Sequence, residues 1–294
     1  MRFWPAIAAL TAVSIIACGR APGTGSPQPT FPPTTLPTAA LVPWQGFPAG
    51  QQPRPIVWLW NASPVNGFGT NEGKIAALCN RFVLNGSLPA NIPAQSYATW
   101  TDGTRASYAG IAAAAAFAAM SRPNPEATSS DCATVPPLVI KSARLGTFDY
   151  GTDRGTAQMT SWLFRAIGVD GEFAYPALPP SAFWKGGMSA PSGNGGAIVS
   201  ADGMSLTWSF GGAPENAGPC GADYRGLVAE SQAAVAVSVQ SVSHATPGDM
   251  VACPAIAQIR TITVKLASAL GGRVVVDSSS AAVAVCPAGM TRSC

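Results

Sequence analysis

Three runs in the last hundred residues alternate with a period of two: Leu206, Trp208 and Phe210; Val235, Val237 and Val239; and Ile262, Val264 and Leu266, this last set interleaved with Thr261, Thr263 and Lys265. Successive side chains of a strand point to opposite faces, so the pattern commits this part of the chain to antiparallel sheet with one face on a core and the other in water. Val274-Val275-Val276 and Val283 to Val285 extend it to about five strands joined by turns. A small sandwich, or a sheet laid on its neighbour, is the expected arrangement.

Upstream the signals are more mixed. Ile56-Val57-Trp58-Leu59-Trp60, bounded by Pro55 and Asn61, reads as a strand buried on both faces, in which Trp58 and Trp60 share a side. Lys74 to Leu84 fits neither the helical nor the strand period. The alanine-rich run Arg105 to Met120 has the strongest helix propensity in the chain and is stopped by Pro123 and Pro125. Its alanines suit close approach to a sheet. Leu138 to Ile140, Met159 to Phe164 and Phe173 to Leu178 are short apolar runs separated by Gly-Thr-Asp turn chemistry, with Asp170-Gly171 as a hairpin tip. The uncharged, glycine-rich stretch Gly186 to Gly196 marks an internal boundary. The expected fold is therefore mainly β (α+β): antiparallel sheets, sandwich-like, with one alanine-rich helix. An N-terminal α+β segment spans 56–190 and a C-terminal antiparallel β segment spans 191–294.

Hydrophobic residues make up 47% of the 294 and charged residues 11%, enough apolar material for a core and too little charge for a disordered chain. Net charge is +3, and the basic residues are scattered singly, which argues against a nucleic-acid partner. The first seventeen residues carry one positive charge, Arg2, and then an apolar run too short to remain as a membrane-spanning helix, the shape of an export signal. From Cys18 to Pro55 ten prolines are interleaved with Gly, Ser and Thr, a composition that opposes both a helix and a central strand. That stretch reads as a tether, reaching up to about 100 Å if wholly polyproline-like.

The signal ends Ile15-Ile16-Ala17-Cys18-Gly19, which resembles the lipobox of bacterial lipoproteins. The resemblance implies removal of residues 1–17, lipidation of Cys18, and an extracytoplasmic protein whose partners are the membrane, through its anchor, and an unidentified envelope ligand or protein. Several acyl chains on one sulfur anchor a protein where a single chain would not. Six cysteines remain: Cys79, Cys132, Cys220, Cys253, Cys286 and Cys294. An even number in an exported chain suggests disulfides, and order along the chain favours 79–132, 220–253 and 286–294 among the fifteen possible pairings. The absence of a CxxC pair and the presence of a single histidine argue against zinc.

A second resemblance is wider. The string Cys132, Pro137-Leu138-Val139-Ile140, Ala143-Arg144-Leu145-Gly146 and Arg154-Gly155-Thr156-Ala157-Gln158-Met159-Thr160-Ser161-Trp162-Leu163-Phe164 is similar to actinobacterial lipoproteins of uncharacterised function. So is the later pattern through Ser200-Ala201-Asp202-Gly203, Cys220, Glu230-Ser231, Cys253 and Leu270 to Asp277. Ser161 stands where that group has proline before the tryptophan. The group has no established activity, so the resemblance implies no catalytic residue.

Searches for chemistry give the same direction. The SxxK and GxSxG nucleophile motifs are absent, and Gly67 to Lys74 misses both the dinucleotide and the phosphate-loop patterns, leaving a glycine-rich loop. His244 could act as a general base oriented by Asp249, but no nucleophile signature accompanies it. Asp149, Asp153, Asp170 and Glu172 fall in one hairpin region and could supply a carboxylate pair or calcium ligands, yet neither a calcium loop nor an acid/base spacing is present. No cofactor is expected. Trp58, Trp60, Trp100, Trp162, Trp184 and Trp208 could form a stacking platform for a ligand, although core packing is the expected role of such aromatics; Trp184, the most loop-like, beside Lys185-Gly186-Gly187, is the candidate ligand contact. The expected function is a non-enzymatic binding or interaction module; the alternative is an envelope hydrolase using His244 or an acidic pair.

Overall fold

The longest element is a hairpin formed by Leu138–Thr152 and Gly155–Ala166, and the first sheet is organised around it. A computed structural model describes residues 31–61, 67–123, 131–189, 195–215, 217–246, 252–254 and 256–290. Within the first sheet lie β1 (Ile56–Asn61), β2 (Phe82–Leu84), β3 (Ser96–Trp100), β4 (Arg105–Tyr108), β5 (Leu138–Thr152), β6 (Gly155–Ala166), β7 (Glu172–Pro176) and β8 (Phe183–Met188). Their order is β4-β3-β6-β5-β1-β8, with β2 beside β5 and β7 beside β6. Most pairs are antiparallel; β1 with β8 and β2 with β5 are parallel. Thr152 opposes Gly155 across a turn made by Asp153 and Arg154. Gly155 sits at φ +80, a conformation glycine adopts without the clash a Cβ would bring.

Two helices cover one end of this sheet. The stretch Lys74 to Leu84 resolves into both periods at once: α1 (Asn71–Leu78), whose N-cap Thr70 hydroxyl accepts from Gly73 N at 3.0 Å, followed by β2. The alanine-rich run is only half helix. Arg105 to Tyr108 pairs with β3 as β4, and α2 (Ala113–Met120) begins after it, because the β3 edge offers backbone partners that propensity alone does not weigh. Ala113 and Ala116 are buried in the cluster that holds Trp162 and Phe164, and Trp162 Nε1 donates to Ile111 O at 2.8 Å. The helix thus lies on the sheet as its alanines suggested.

The remaining strands are β9 (Ala197–Val199), β10 (Ser205–Gly212), β11 (Ala222–Glu230), β12 (Ala234–Ser243), β13 (Gln258–Lys265), β14 (Val274–Val276) and β15 (Val285–Cys286). They form two sheets, β11-β12-β14 and β13-β10-β9-β15. Leu206, Trp208, Phe210, Ile262 and Val264 from one meet Val235, Val237 and Val275 from the other in a shared core, which is a sandwich. Two strands depart from the single-sided expectation. Ala234 to Val237 and Val274 to Val276 are buried on both faces, and β12 and β14 pair parallel.

The second face of the β11-β12-β14 sheet is covered by the proline-rich segment. A 3-10 helix at Thr38–Trp44 contains Pro43, and Ala40, Leu41, Trp44 and Phe47 pack with Val57 and Leu59 of β1 against Ala234, Ala236, Val274 and Val276. Trp44 Nε1 donates to Ser280 O at 3.0 Å. Farther upstream Arg225 reaches Pro32 O at 2.8 Å and the Thr34 hydroxyl at 3.0 Å, and its guanidinium lies 4.6 Å from the Phe31 ring centroid. The tether expected over 18–55 is therefore corrected from residue 31 onward: this part is docked structure. Composition opposed an α-helix and a ladder strand, but not a short 3-10 helix whose apolar side chains find a sheet face. Residues 31–294 form one compact unit, so the segments divided at 190 share a core instead of standing apart.

Candidate functional site

The β5–β6 turn puts two charged residues side by side and sends them in different directions. The Asp153 carboxylate takes a hydrogen bond from Arg54 Nη2 and another from Val57 N at 3.3 Å, while Arg54 Nε donates to Gly272 O at 2.5 Å. The side chains of this ion pair are 6% and 2% exposed. Backbone bonds continue the junction: Asp153 N to Val57 O and Val285 N to Asp153 O, both 3.0 Å.

Arg154 turns the other way. Its guanidinium carbon stands 3.5 Å from the centroid of the Trp100 ring, and both residues are held by Thr152, whose hydroxyl accepts from Trp100 Nε1 at 3.1 Å and from Arg154 N at 3.2 Å. Trp100 is buried and Arg154 is half-buried. Arg154 Nε and Nη2 are enclosed yet have no hydrogen-bond partner among the described residues, and the same holds for Tyr108 Oη and Ser96 Oγ, which stand opposite one another on β4 and β3. Burial lowers the pKa of the Arg154 guanidinium; Asp153 opposes that shift and Arg54 adds to it. Burial likewise pushes the Tyr108 phenol up, against the pull of Arg154. Two guanidiniums thus feel the charge of one buried carboxylate, and only that of Arg54 is bonded to it. Asp102 also acts on Arg154 but is exposed and bonded to Thr104 N and Oγ1 at 2.8 and 2.7 Å.

The acidic residues singled out by sequence are taken up separately. Asp153 is committed to Arg54. Glu172 receives Arg144 Nε at 2.9 Å and Nη2 at 2.5 Å, Asp149 receives Gln158 Nε2 at 3.4 Å, and Asp170 is exposed. His244 lies 2.8 Å through Nε2 from Asp223 Oδ2, across the first residues of β11; Asp249 lies outside the described residues. No serine or threonine hydroxyl bonds His244 among the described residues.

Trp184 is not a free loop contact. It stacks on Trp44 at 6.1 Å with planes 21° apart and meets Phe47 edge-on at 5.2 Å, so it belongs to the core that docks the proline-rich segment. Trp58 and Trp60 do not share a side, because the register shifts between them: Trp58 is buried, and Trp60, 45% exposed, lies over Gly151. Cys79–Cys132 and Cys220–Cys253 are disulfides. Cys286 is also disulfide-bonded; Cys294 lies outside the described residues, as does Cys18. Sequence reasoning passed over Arg154 and Tyr108 and weighed Trp100 only among the tryptophans of a stacking platform, since residues from two strands and a hairpin turn converge there without any shared spacing. The chain matches no known protein-family model, no curated protein and no solved structure.

Proposed function

We propose that this chain is a lipid-anchored protein of the outer face of the cell membrane and works as a non-enzymatic binding or interaction module held close to that surface. The observation that carries this reading is the docking of residues 31–49 on a disulfide-bonded β body. Disulfides persist in oxidising compartments, and two close chain separations of 53 and 33 residues. The stop of the export signal at Ala17-Cys18 supplies the anchor in this reading. With Phe31 already held by Arg225, the thirteen steps from Cys18 to Phe31 span at most about 45 Å, less than half the reach that the whole proline-rich stretch would give. The body is then displayed near the membrane, and its ligand is something that the membrane-proximal envelope presents.

Intact mass measurement of the mature protein tests this. The expected result is loss of residues 1–17, acyl mass on Cys18, and a mass gain on reduction; Cys18→Ser should move the protein from the membrane to the soluble fraction. An unprocessed cytosolic product with reduced thiols would overturn the reading. The hydrolase alternative retains one supporting feature, the His244–Asp223 pair, and predicts that His244→Ala abolishes turnover of an envelope ester or amide.

A further inference from the structure

Arg154 presents an edge that this protein uses elsewhere for carboxylates. Arg144 grips Glu172 through Nε and Nη2, one nitrogen to each carboxylate oxygen. A planar guanidinium offers that pair of donors in a fork that fits a carboxylate side-on. In Arg154 the same two nitrogens are enclosed and unpartnered among the described residues, the Trp100 ring supports the plane from one side, and the Tyr108 hydroxyl is a further enclosed group without a partner. Nearby, the Asp153 carboxylate is hydrogen-bonded to Arg54 and Val57 and not to Arg154, so two guanidiniums lie near one buried carboxylate and the junction carries one positive charge more than it balances. A buried cation without a counter-charge is costly, and a bound anion removes that cost.

We propose that Arg154 is the anchor of a carboxylate-binding site, with Trp100 as its stacking floor and Tyr108 as a supporting hydroxyl. The proposal deepens the binding-module reading and rests on it, naming a carboxylate as the ligand group. Entry is from the half-exposed side of Arg154. Residues 285–290 flank it: Val285 N is bonded to Asp153 O at 3.0 Å, and the Thr101 hydroxyl lies 3.9 Å from Met290 Sδ. Because Nε and Nη2 lie beneath the surface, seating a carboxylate on that edge shifts the Arg154 stem or this flanking segment, and Trp100 senses the change.

The test uses the full chain with Cys18→Ser, so that ligand binding is read independently of the anchor. Benzoate and acetate are titrated at constant ionic strength against sodium chloride and inorganic phosphate, following the Arg154 Nε and Trp100 Nε1 resonances. The expected result is saturable movement of both with the carboxylates and none with chloride. Arg154→Lys, which keeps the charge and loses the fork, should weaken carboxylate binding at least tenfold while leaving thermal stability within a few degrees; Tyr108→Phe should weaken it by a smaller factor. Unmoved Arg154 and Trp100 resonances, movement with phosphate alone, or equal affinity in Arg154→Lys would each overturn the carboxylate site. Failure here with an acylated, membrane-bound native protein leaves the anchored module standing; a cytosolic, unacylated protein that binds carboxylates does the reverse.

Discussion

Arg54 and Asp153, 99 residues apart in the chain, form a buried ion pair where the docked N-terminal segment, the β5–β6 turn and the loop before β14 meet. Three separately built pieces are registered by it, since Arg54 also bonds Gly272 O and Asp153 also bonds Val57 N. Removing one partner leaves an uncompensated buried charge, so Arg54→Met or Asp153→Asn is expected to destabilise by about 3–5 kcal/mol. The double variant Arg54→Met/Asp153→Leu should lose clearly less than the sum of the single changes. Denaturant unfolding of the three variants measures this, and additive losses would show that the pair does not act as a unit.

Trp44 fastens the proline-rich segment. It is 5% exposed, stacks on Trp184 and donates to Ser280 O. Truncation to alanine removes a large buried ring, for which about 3–5 kcal/mol is usual. Residues 38–49 should then become open to limited proteolysis and fast amide exchange, while the β10–β13 strands in the sandwich core keep their protection. An unchanged cleavage pattern would mean that the segment is held by its other contacts alone.

Gly151 is required by its neighbour. A Cβ there would stand 2.0 Å from Trp60 Nε1 and 2.2 Å from Cε2, closer than any side chain tolerates. Gly151→Ala is expected to push Trp60 off the hairpin and to destabilise by about 1–3 kcal/mol, with a red shift in Trp60 emission. In a Trp60→Ala background the same change should be nearly neutral. A double-mutant cycle with no coupling would contradict this contact.

Glu230 links stability to pH. Burial is the strongest single influence and raises its pKa, but hydrogen bonds from Ala267 N and from Arg273, with the charge of Arg273, together outweigh burial and hold the carboxyl below its ordinary value. A carboxyl whose folded pKa lies below its unfolded one binds protons more readily when unfolded. Its stabilisation is therefore complete above the unfolded carboxylate's pKa of about 4.3 and is lost as pH falls through the lower folded value. Glu230→Gln should flatten the stability curve in that acidic range and leave its shape above pH 6 unchanged. Urea midpoints across pH 2–7 measure the difference.

The period-two runs at 206–210 and 262–266 specified strands and their buried faces before any tertiary contact was known, because alternation is a local property of extended chain. Cysteine order specified two bridges, Cys79–Cys132 and Cys220–Cys253, each joining cysteines that are consecutive in the chain. What the sequence could not specify was decided by partners far along the chain. Arg105 to Tyr108 became strand because β3 offered an edge. A bulge set Trp58 and Trp60 apart, and the proline-rich segment acquired structure only because the β11-β12-β14 sheet presented an alanine-lined second face. Arg154, Trp100 and Tyr108 meet for the same reason. Their proximity follows from the β3–β6 pairing and the turn at Asp153, and no spacing between residues 100, 108 and 154 encodes it.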